Sequence, residues 1–346
     1  MSTRPTALFK NKSILITGGT GSFGRALAHK LIRESDCKKV IILSRDEWKQ
    51  GEMRQSDPTF ADPRMRYFLG DVRDTNRLAR AFSEINFVVH AAALKQVPAA
   101  EYNPSEFVKT NVIGAMNVID QAINCGVEKV IALSTDKSVN PINLYGATKL
   151  CSDRLFVAGN SYVGSKGFPK LSVVRYGNVL GSRGSVIPYW RKLIESGAKS
   201  LPITDKRMTR FWITLDQAVD FVIDAFNTMR GGEIYIPKIP SMRIEDLAMA
   251  MAPNLPQTYT GIREGEKLHE LMVGVDDARH TYEYEKNFII VPEIYVHNPE
   301  LLKRFLDGRI GKSLPEDFAY RSDTNTQWLS VDDLRRLLPN ALHDAF

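Results

Sequence analysis

Ser13-Ile14-Leu15-Ile16-Thr17-Gly18-Gly19-Thr20-Gly21-Ser22-Phe23-Gly24 decides the fold. A short apolar run reads as a buried strand, and the segment after the glycines, Phe23 to Glu34, has helix length. Between them Gly18, Gly21 and Gly24 recur at every third position. Glycine allows a tight turn and lets backbone approach a ligand closely, while the first N–H groups and the dipole of the following helix stabilise negative charge. A glycine triplet between strand and helix therefore predicts a pyrophosphate cradle for a dinucleotide, with Gly18, Thr20, Gly21, Ser22, Phe23 and Gly24 along it.

The same rhythm continues outward. Val40–Leu43, Tyr67–Leu69, Phe87–His90, Val130–Leu133 and Leu171–Val174 read as further buried strands, separated by helix-length pieces such as Asn76–Ile85 and Ser105–Asn124. Repeated strand and helix predict an α/β fold, a Rossmann-like doubly wound parallel sheet. After Arg175 the pattern breaks into shorter pieces marked by Pro and Gly, including Gly181–Pro188, Gly231-Gly232 and Pro237–Pro240. Residues 1–175 are thus expected to form the dinucleotide-binding domain and 176–346 mainly a smaller, discontinuous C-terminal substrate lobe. Elements near 211–251, namely the helical pieces Leu215–Met229 and Ile244–Met251, are expected to return to the first domain. Ser330 with Asp333 three residues on predicts an N-cap for a final helix from Val331 to Leu338.

Composition narrows the class. At 346 residues, with 43% hydrophobic and 25% charged residues, the chain can bury a sizeable core and is not a disordered or fibrous protein. Its net charge of +6 is scattered rather than gathered into a basic stripe, which suits a small polyanion better than nucleic acid. The longest apolar run, Leu247–Ala252, is far short of the roughly 20 residues that span a bilayer, so no membrane partner is expected. Met1–Lys12 is polar and lacks an apolar signal core, and Cys37, Cys125 and Cys151 are odd in number and widely spaced. Those features predict a cytoplasmic protein with reduced thiols and no metal site.

After the second strand, Ser44-Arg45-Asp46-Glu47-Trp48-Lys49 should meet the cofactor ribose. Two readings compete. Asp46 could accept from a free ribose diol, favouring NAD, whereas Ser44, Arg45 and Lys49 could hold a 2′-phosphate, favouring NADP. NADP is preferred because Arg45 directly follows the strand. Asp71-Val72, after the third strand, should stand near adenine.

Tyr145-Gly146-Ala147-Thr148-Lys149 puts a phenol and an ammonium four residues apart, on one face of a helix. A nearby cation lowers a phenol's pKa, so Tyr145 is expected to serve as base towards a hydroxyl while Lys149 also binds the cofactor ribose. Ser134-Thr135-Asp136-Lys137 ends the fifth strand, at the carboxyl edge where open α/β sheets bind ligands. An acid, an amine and a hydroxyl should therefore converge on one wall.

With these motifs the chain resembles the extended short-chain dehydrogenase/reductases and, within them, the inverting UDP-N-acetylglucosamine 4,6-dehydratases of pseudaminic acid synthesis. The resemblance runs nearly full length, through His90-Ala91-Ala92-Ala93-Leu94-Lys95, Asn143–Lys149, Arg175-Tyr176-Gly177-Asn178-Val179, Arg207–Trp212 and Gly261–Glu270. It implies NADP held tightly and regenerated each turnover by Thr20–Phe23, Ser44–Lys49, Asp71, Val72, Ala91, Lys95, Thr110, Tyr145 and Lys149. It also implies a UDP-sugar against Lys95, Lys137, Asn178, Arg263 and Glu266, and a homo-oligomer, with a hexamer as one form. Glu264 stands where that family's segment carries proline, which bears on loop shape rather than chemistry.

The implied reaction begins with Tyr145 taking the O4 proton as C4 gives up a hydride. Lys137 then removes the C5 proton, Asp136 assists departure of the C6 hydroxyl as water, and hydride returns to C6; Thr135 completes the catalytic set. Reprotonation of C5 from the opposite face gives UDP-2-acetamido-2,6-dideoxy-β-L-arabino-hex-4-ulose, a first step towards surface or flagellin glycosylation. Alternative readings are a retaining dehydratase or an epimerase on another UDP-sugar, or a non-catalytic NADP-sensing regulator. The resemblance associates retaining relatives with an acidic pair in place of Asp136-Lys137.

Overall fold

The computed structural model describes residues 5–343 apart from 165, 166, 183 and 310. Strands β1 (Ser13–Thr17), β2 (Lys39–Ser44), β3 (Met65–Leu69), β4 (Phe87–His90), β5 (Lys129–Thr135) and β6 (Lys170–Tyr176) pair in parallel in the order β3-β2-β1-β4-β5-β6. Ile234–Pro237 adds a parallel strand beside β6, and Asn287–Ile290, Thr281–Glu283 and Lys312–Ser313 extend the sheet antiparallel. All five residues of β1 and of the register partners Val40–Leu43 are buried, as expected where helices cover both faces of a parallel sheet. That double burial is why the strands were legible as unbroken apolar runs. The α/β, doubly wound sheet is thus the fold the sequence predicts.

The expected helix over Ser105–Asn124 is present but not uniform. Pro104–Phe107 and Gly114–Asn124 are joined through a π-helical turn, Val108–Ile113. Such turns often re-aim side chains at functional sites, and this one carries Thr110 and Asn111 inward.

Two apolar clusters form. The larger wraps the sheet and takes in Val219, Val222 and Phe226 of the Leu215–Thr228 helix. Phe9, Phe87 and Phe226 meet edge to face there, with ring centroids 5.5, 5.6 and 5.8 Å apart. The smaller gathers Ile187, Trp190, Ile203, Trp212, Leu247 and Leu334. It includes the Ile244–Met251 helix, so that helix packs into the smaller cluster while Leu215–Thr228 joins the larger one. The reason is local: Leu247 and Ala248 face Leu334 and Leu338 of the final helix, Val331–His343. Ser330 caps that helix as expected, its hydroxyl accepting from the Asp333 N–H at 3.2 Å. Among the described residues no helix is long and apolar enough to cross a membrane.

Between β1 and β4 the connections leave in opposite directions, which opens a crevice at their carboxyl ends. The Thr17 hydroxyl ties these ends together, meeting His90 Nδ1 at 2.8 Å and accepting from the Ala92 N–H at 3.2 Å. His90 is neutral: burial pushes its pKa down to about 3, and the Lys149 charge adds to this.

Candidate active site

One cleft of about 1180 Å³ runs along this crevice and between the two lobes. The residues expected from the sequence to bind or act lie on its wall, apart from Glu47 and Trp48 of the Ser44–Lys49 stretch. At one end, Gly18 has φ +66° and a Cβ there would stand 2.8 Å from Ala92 backbone. At Gly24 a Cβ would meet Gly19 at 2.5 Å, so this glycine lets the helix pack onto the loop. Gly21 is the N-cap of the Ser22–Glu34 helix and offers no capping side chain, so the first N–H groups point to the cleft. An uncapped helix start beside Thr20, Ser22 and Phe23, with the Thr110 hydroxyl buried and unpartnered among the described residues across from Ala91 and Val72, fits a dinucleotide pyrophosphate and ribose.

Beyond β2 the two ribose readings separate. Asp46 is the N-cap of the Glu47–Ser56 helix, accepting from the Lys49 N–H at 3.0 Å, and its other oxygen meets the Lys49 amine at 2.9 Å. Its carboxylate is thus committed to its own helix. Arg45 is half exposed to the cleft and reaches Asp71 at 3.5 Å; Asp71 also holds the Arg73 guanidinium at 2.8 Å. The Ser44 hydroxyl accepts from Gln50 at 3.0 Å.

The central wall is the end of β5 and the start of the Leu144–Gly159 helix. Asn143 caps this helix by accepting from the Gly146 N–H at 2.8 Å, and its amide donates to the Gly265 carbonyl at 2.7 Å, tying the helix to the second lobe. Tyr145 and Lys149 follow on one buried face. A Cβ on Gly146 would collide with the Lys137 carbonyl, so glycine lets the helix lie against the Asp136–Ser138 turn. From the π-helical turn, Asn111 accepts from the Leu94 N–H at 2.8 Å and donates to the Leu94 carbonyl at 2.9 Å and to Thr148 at 3.0 Å. It thereby fixes the loop that carries Lys95. The sequence reading gave Asn111 no part.

Charge in the site is organised around Lys137. Its amine lies 3.1 Å from Asp136 and 3.1 Å from Glu270. Those two carboxylates outweigh burial and hold the ammonium well above its ordinary pKa. Asp136 is fully buried, and burial together with the Glu270 charge raises its pKa. The Thr135 hydroxyl donates to Asp136 Oδ1 at 2.9 Å, while Oδ2 has no partner among the described residues, so nothing at that oxygen offsets the burial that favours the protonated form. Burial pushes Tyr145 up to about 12, against the pull of the Lys137 charge. The phenol therefore sits above its ordinary pKa rather than below it, because desolvation outweighs the neighbouring cation. Lys149 and Lys95 are both lowered by burial.

On the second-lobe side, the Arg263 guanidinium pairs with Glu266 at 2.9 Å, and Asn178 lies on the same cleft. Arg210, nearly buried, reaches Glu266 and Glu270 at 3.6 Å each and donates to the carbonyls of Thr209, Lys267 and Leu268. Glu270 and Arg210 stood inside the segments used for the resemblance but were assigned no role.

A family model described as Polysaccharide biosynthesis protein matches residues 14–292. This chain belongs to that family. The inverting UDP-N-acetylglucosamine 4,6-dehydratase of Campylobacter jejuni subsp. jejuni serotype O:2 is 54% identical over 332 residues, 96% of this chain and 98% of the relative. That identity bears out the resemblance stated from the motifs. The UDP-glucose 4-epimerase of Rickettsia akari is 39% identical over 96% of each chain. Among solved structures, Pen from Bacillus thuringiensis superposes with a TM-score of 0.85 at 35% identity, over 96% of this chain and 99% of that one.

Proposed function

We propose that this family member is an NADP-dependent UDP-N-acetylglucosamine 4,6-dehydratase that inverts C5. The observation that carries the reading is the buried Asp136–Lys137 pair, 3.1 Å apart, in the same cleft as Tyr145 and the glycine loop. The 54% identity to a protein named for that reaction supports it over the epimerase reading, for which the identity is 39%. Arg45 and Lys49 support NADP, since the competing ribose acceptor, Asp46, is engaged as a helix cap.

A bound dinucleotide would accept hydride from C4 and later return it to C6. Tyr145 takes the O4 proton, and the resulting 4-ketone acidifies the C5 hydrogen. Lys137 takes the C5 proton once its amine is neutral. Asp136, kept protonated by burial and by Glu270, gives its proton to the C6 hydroxyl, which leaves as water. Proton return to C5 from the opposite face inverts that centre. Arg263 and Asn178 suit the diphosphate and Glu266 the uridine ribose. The same reading makes the product a precursor for pseudaminic acid and hence for surface or flagellin glycans. Three free thiols suit a reducing compartment such as the cytoplasm, and the exposed Tyr102, Val108, Ile113 and Met116 suit burial in a homo-oligomer.

Purified protein incubated with UDP-N-acetylglucosamine in deuterated water, without added cofactor, tests this directly. The expected product lacks one water, carries deuterium at C5 and has the L-arabino configuration. A C4 epimer, or a dehydrated product with C5 retained, rejects the assignment.

A further inference from the structure

Glu270 is held from both sides before its side chain enters the cleft. Its backbone N–H donates to the Ser322 hydroxyl at 2.9 Å and its carbonyl accepts from the Ser322 N–H at 2.9 Å, just ahead of the Leu271–Val273 strand. The side chain is 1% exposed. One oxygen stands 3.1 Å from the Lys137 amine and 3.6 Å from Arg210; the other is buried without a partner among the described residues. A carboxylate serving only to join two lobes would gain more from full hydrogen bonding, because a bare buried oxygen costs free energy. The proposed chemistry needs Asp136 in its acid form, which leaves Glu270 as the ionised partner of the Lys137 amine.

The groups facing Lys137 come from every neighbouring element. Asp136 lies on its own turn, Tyr145 on the Leu144–Gly159 helix, Lys95 beyond β4, Arg210 on the Thr209–Ile213 strand, and Lys267 and Glu270 on the segment before Leu271. At the C5 step Asp136 still carries the proton that it then gives to the C6 hydroxyl, and the other neighbours are cations or a phenol. Glu270 is then the one facing group in this set that can accept a proton from the amine. The resting pair is ammonium and carboxylate, because burial is outweighed by the opposite charges that hold Lys137 above and Glu270 below its ordinary pKa, so the transfer is uphill and occurs only within the reaction.

We propose that Glu270 is a positioning residue for dehydration: it fixes the Lys137 amine beside Asp136 and takes the proton that this amine must shed before acting at C5. The inference rests on the reading of Lys137 as the C5 base. One N–H bond of the ammonium breaks and an O–H bond forms on Glu270. The freed lone pair binds the C5 proton, and the C5–H electrons pass into the enolate of the 4-ketone. The net change is one proton moved from C5 to the Lys137–Glu270 pair.

The test compares Glu270→Gln, Glu270→Asp and Lys137→Ala, following C5 deuterium uptake and C4 oxidation separately as functions of pH. With an internal acceptor the wild-type uptake is nearly flat between about pH 6.5 and 8.5. In Glu270→Gln the amine must lose its proton to solvent, so the flat profile is replaced by uptake that climbs up to about tenfold per pH unit until the amine, now without the Glu270 charge, is neutral, with a much smaller effect on C4 oxidation. Glu270→Asp, which withdraws the carboxylate by one methylene, gives an intermediate slope and decides the matter if the glutamine variant does not fold. A uniform loss in both half-reactions with an unchanged pH slope, or wild-type uptake, overturns the role of Glu270. Lys137→Ala distinguishes the two readings: if it retains C5 uptake, the assignment of Lys137 as base fails, whereas loss of uptake there with wild-type behaviour in both Glu270 variants removes Glu270 alone.

Discussion

At the dinucleotide end of the cleft, the wall is mostly backbone and nearly contiguous in the chain, from Gly18 to Gly24, with half-exposed charges such as Arg45 beside it. At the other end, Arg210 and Glu270 arrive from distant segments at Asp136, Lys137 and Tyr145, and the charges are buried against one another. Backbone amides cannot titrate, so the first end binds charge without changing its own. Buried side chains can, and their proton affinities are set by neighbours. The contrast is between a backbone cradle suited to an anion and a wall whose protonation is set by its neighbours.

Variants at the two ends should therefore fail differently. The largest effect is expected for Tyr145→Phe, with C4 oxidation reduced by about 10³-fold or more while dinucleotide affinity and folding persist. Because burial pushes that phenol up to about 12, its base form grows as pH rises. Wild-type C4 oxidation should accordingly quicken from neutral towards alkaline pH, and the phenylalanine variant should lose that rise; single-turnover absorbance of the reduced nicotinamide reads both. Next comes Gly146→Ala, whose new methyl pushes the Lys137 turn aside. Turnover should drop about 100-fold, as a displacement near 1 Å can cause, with little change in dinucleotide binding by fluorescence titration. At the other end, Arg45→Ala should weaken NADP about tenfold and leave NAD affinity almost unchanged, with the difference shrinking as salt is raised. Equal weakening of both cofactors would show that Arg45 reads no 2′-phosphate. The smallest effect is expected for Asn143→Ala, which removes a helix cap and the link to Gly265. Thermal unfolding should show a loss of about 1 kcal/mol, and KM for the nucleotide-sugar should rise more than kcat falls.

The inner parallel strands were readable because they are buried on both faces, so the chain shows them as apolar runs with little else to mimic; β3, at the sheet edge, is only partly buried and shows a shorter run, Tyr67–Leu69. The Ile244–Met251 helix was equally visible as a helix but not in its destination: an apolar face states that something covers it, not which core does. Asn111 was hidden for a different reason. Its signal is a π-helical turn within a longer helical stretch, and residue composition does not distinguish that turn from ordinary helix. Tyr145 was found by its spacing to Lys149, yet the direction of its pKa was not, since burial leads over nearby charge and burial is a property of the packed molecule.

The sequence by itself determined the doubly wound sheet and its glycine loop, and singled out Asp136, Lys137, Tyr145 and Lys149 as candidates that the fold brings to one cleft, because each feature is encoded by residues close together along the chain. Only the tertiary structure brought Glu270 and Arg210 to Lys137 and committed Asp46 to its helix. Electrostatic coupling falls off over a few ångströms in space and takes no account of separation along the chain, so protonation in the site was decided by folding.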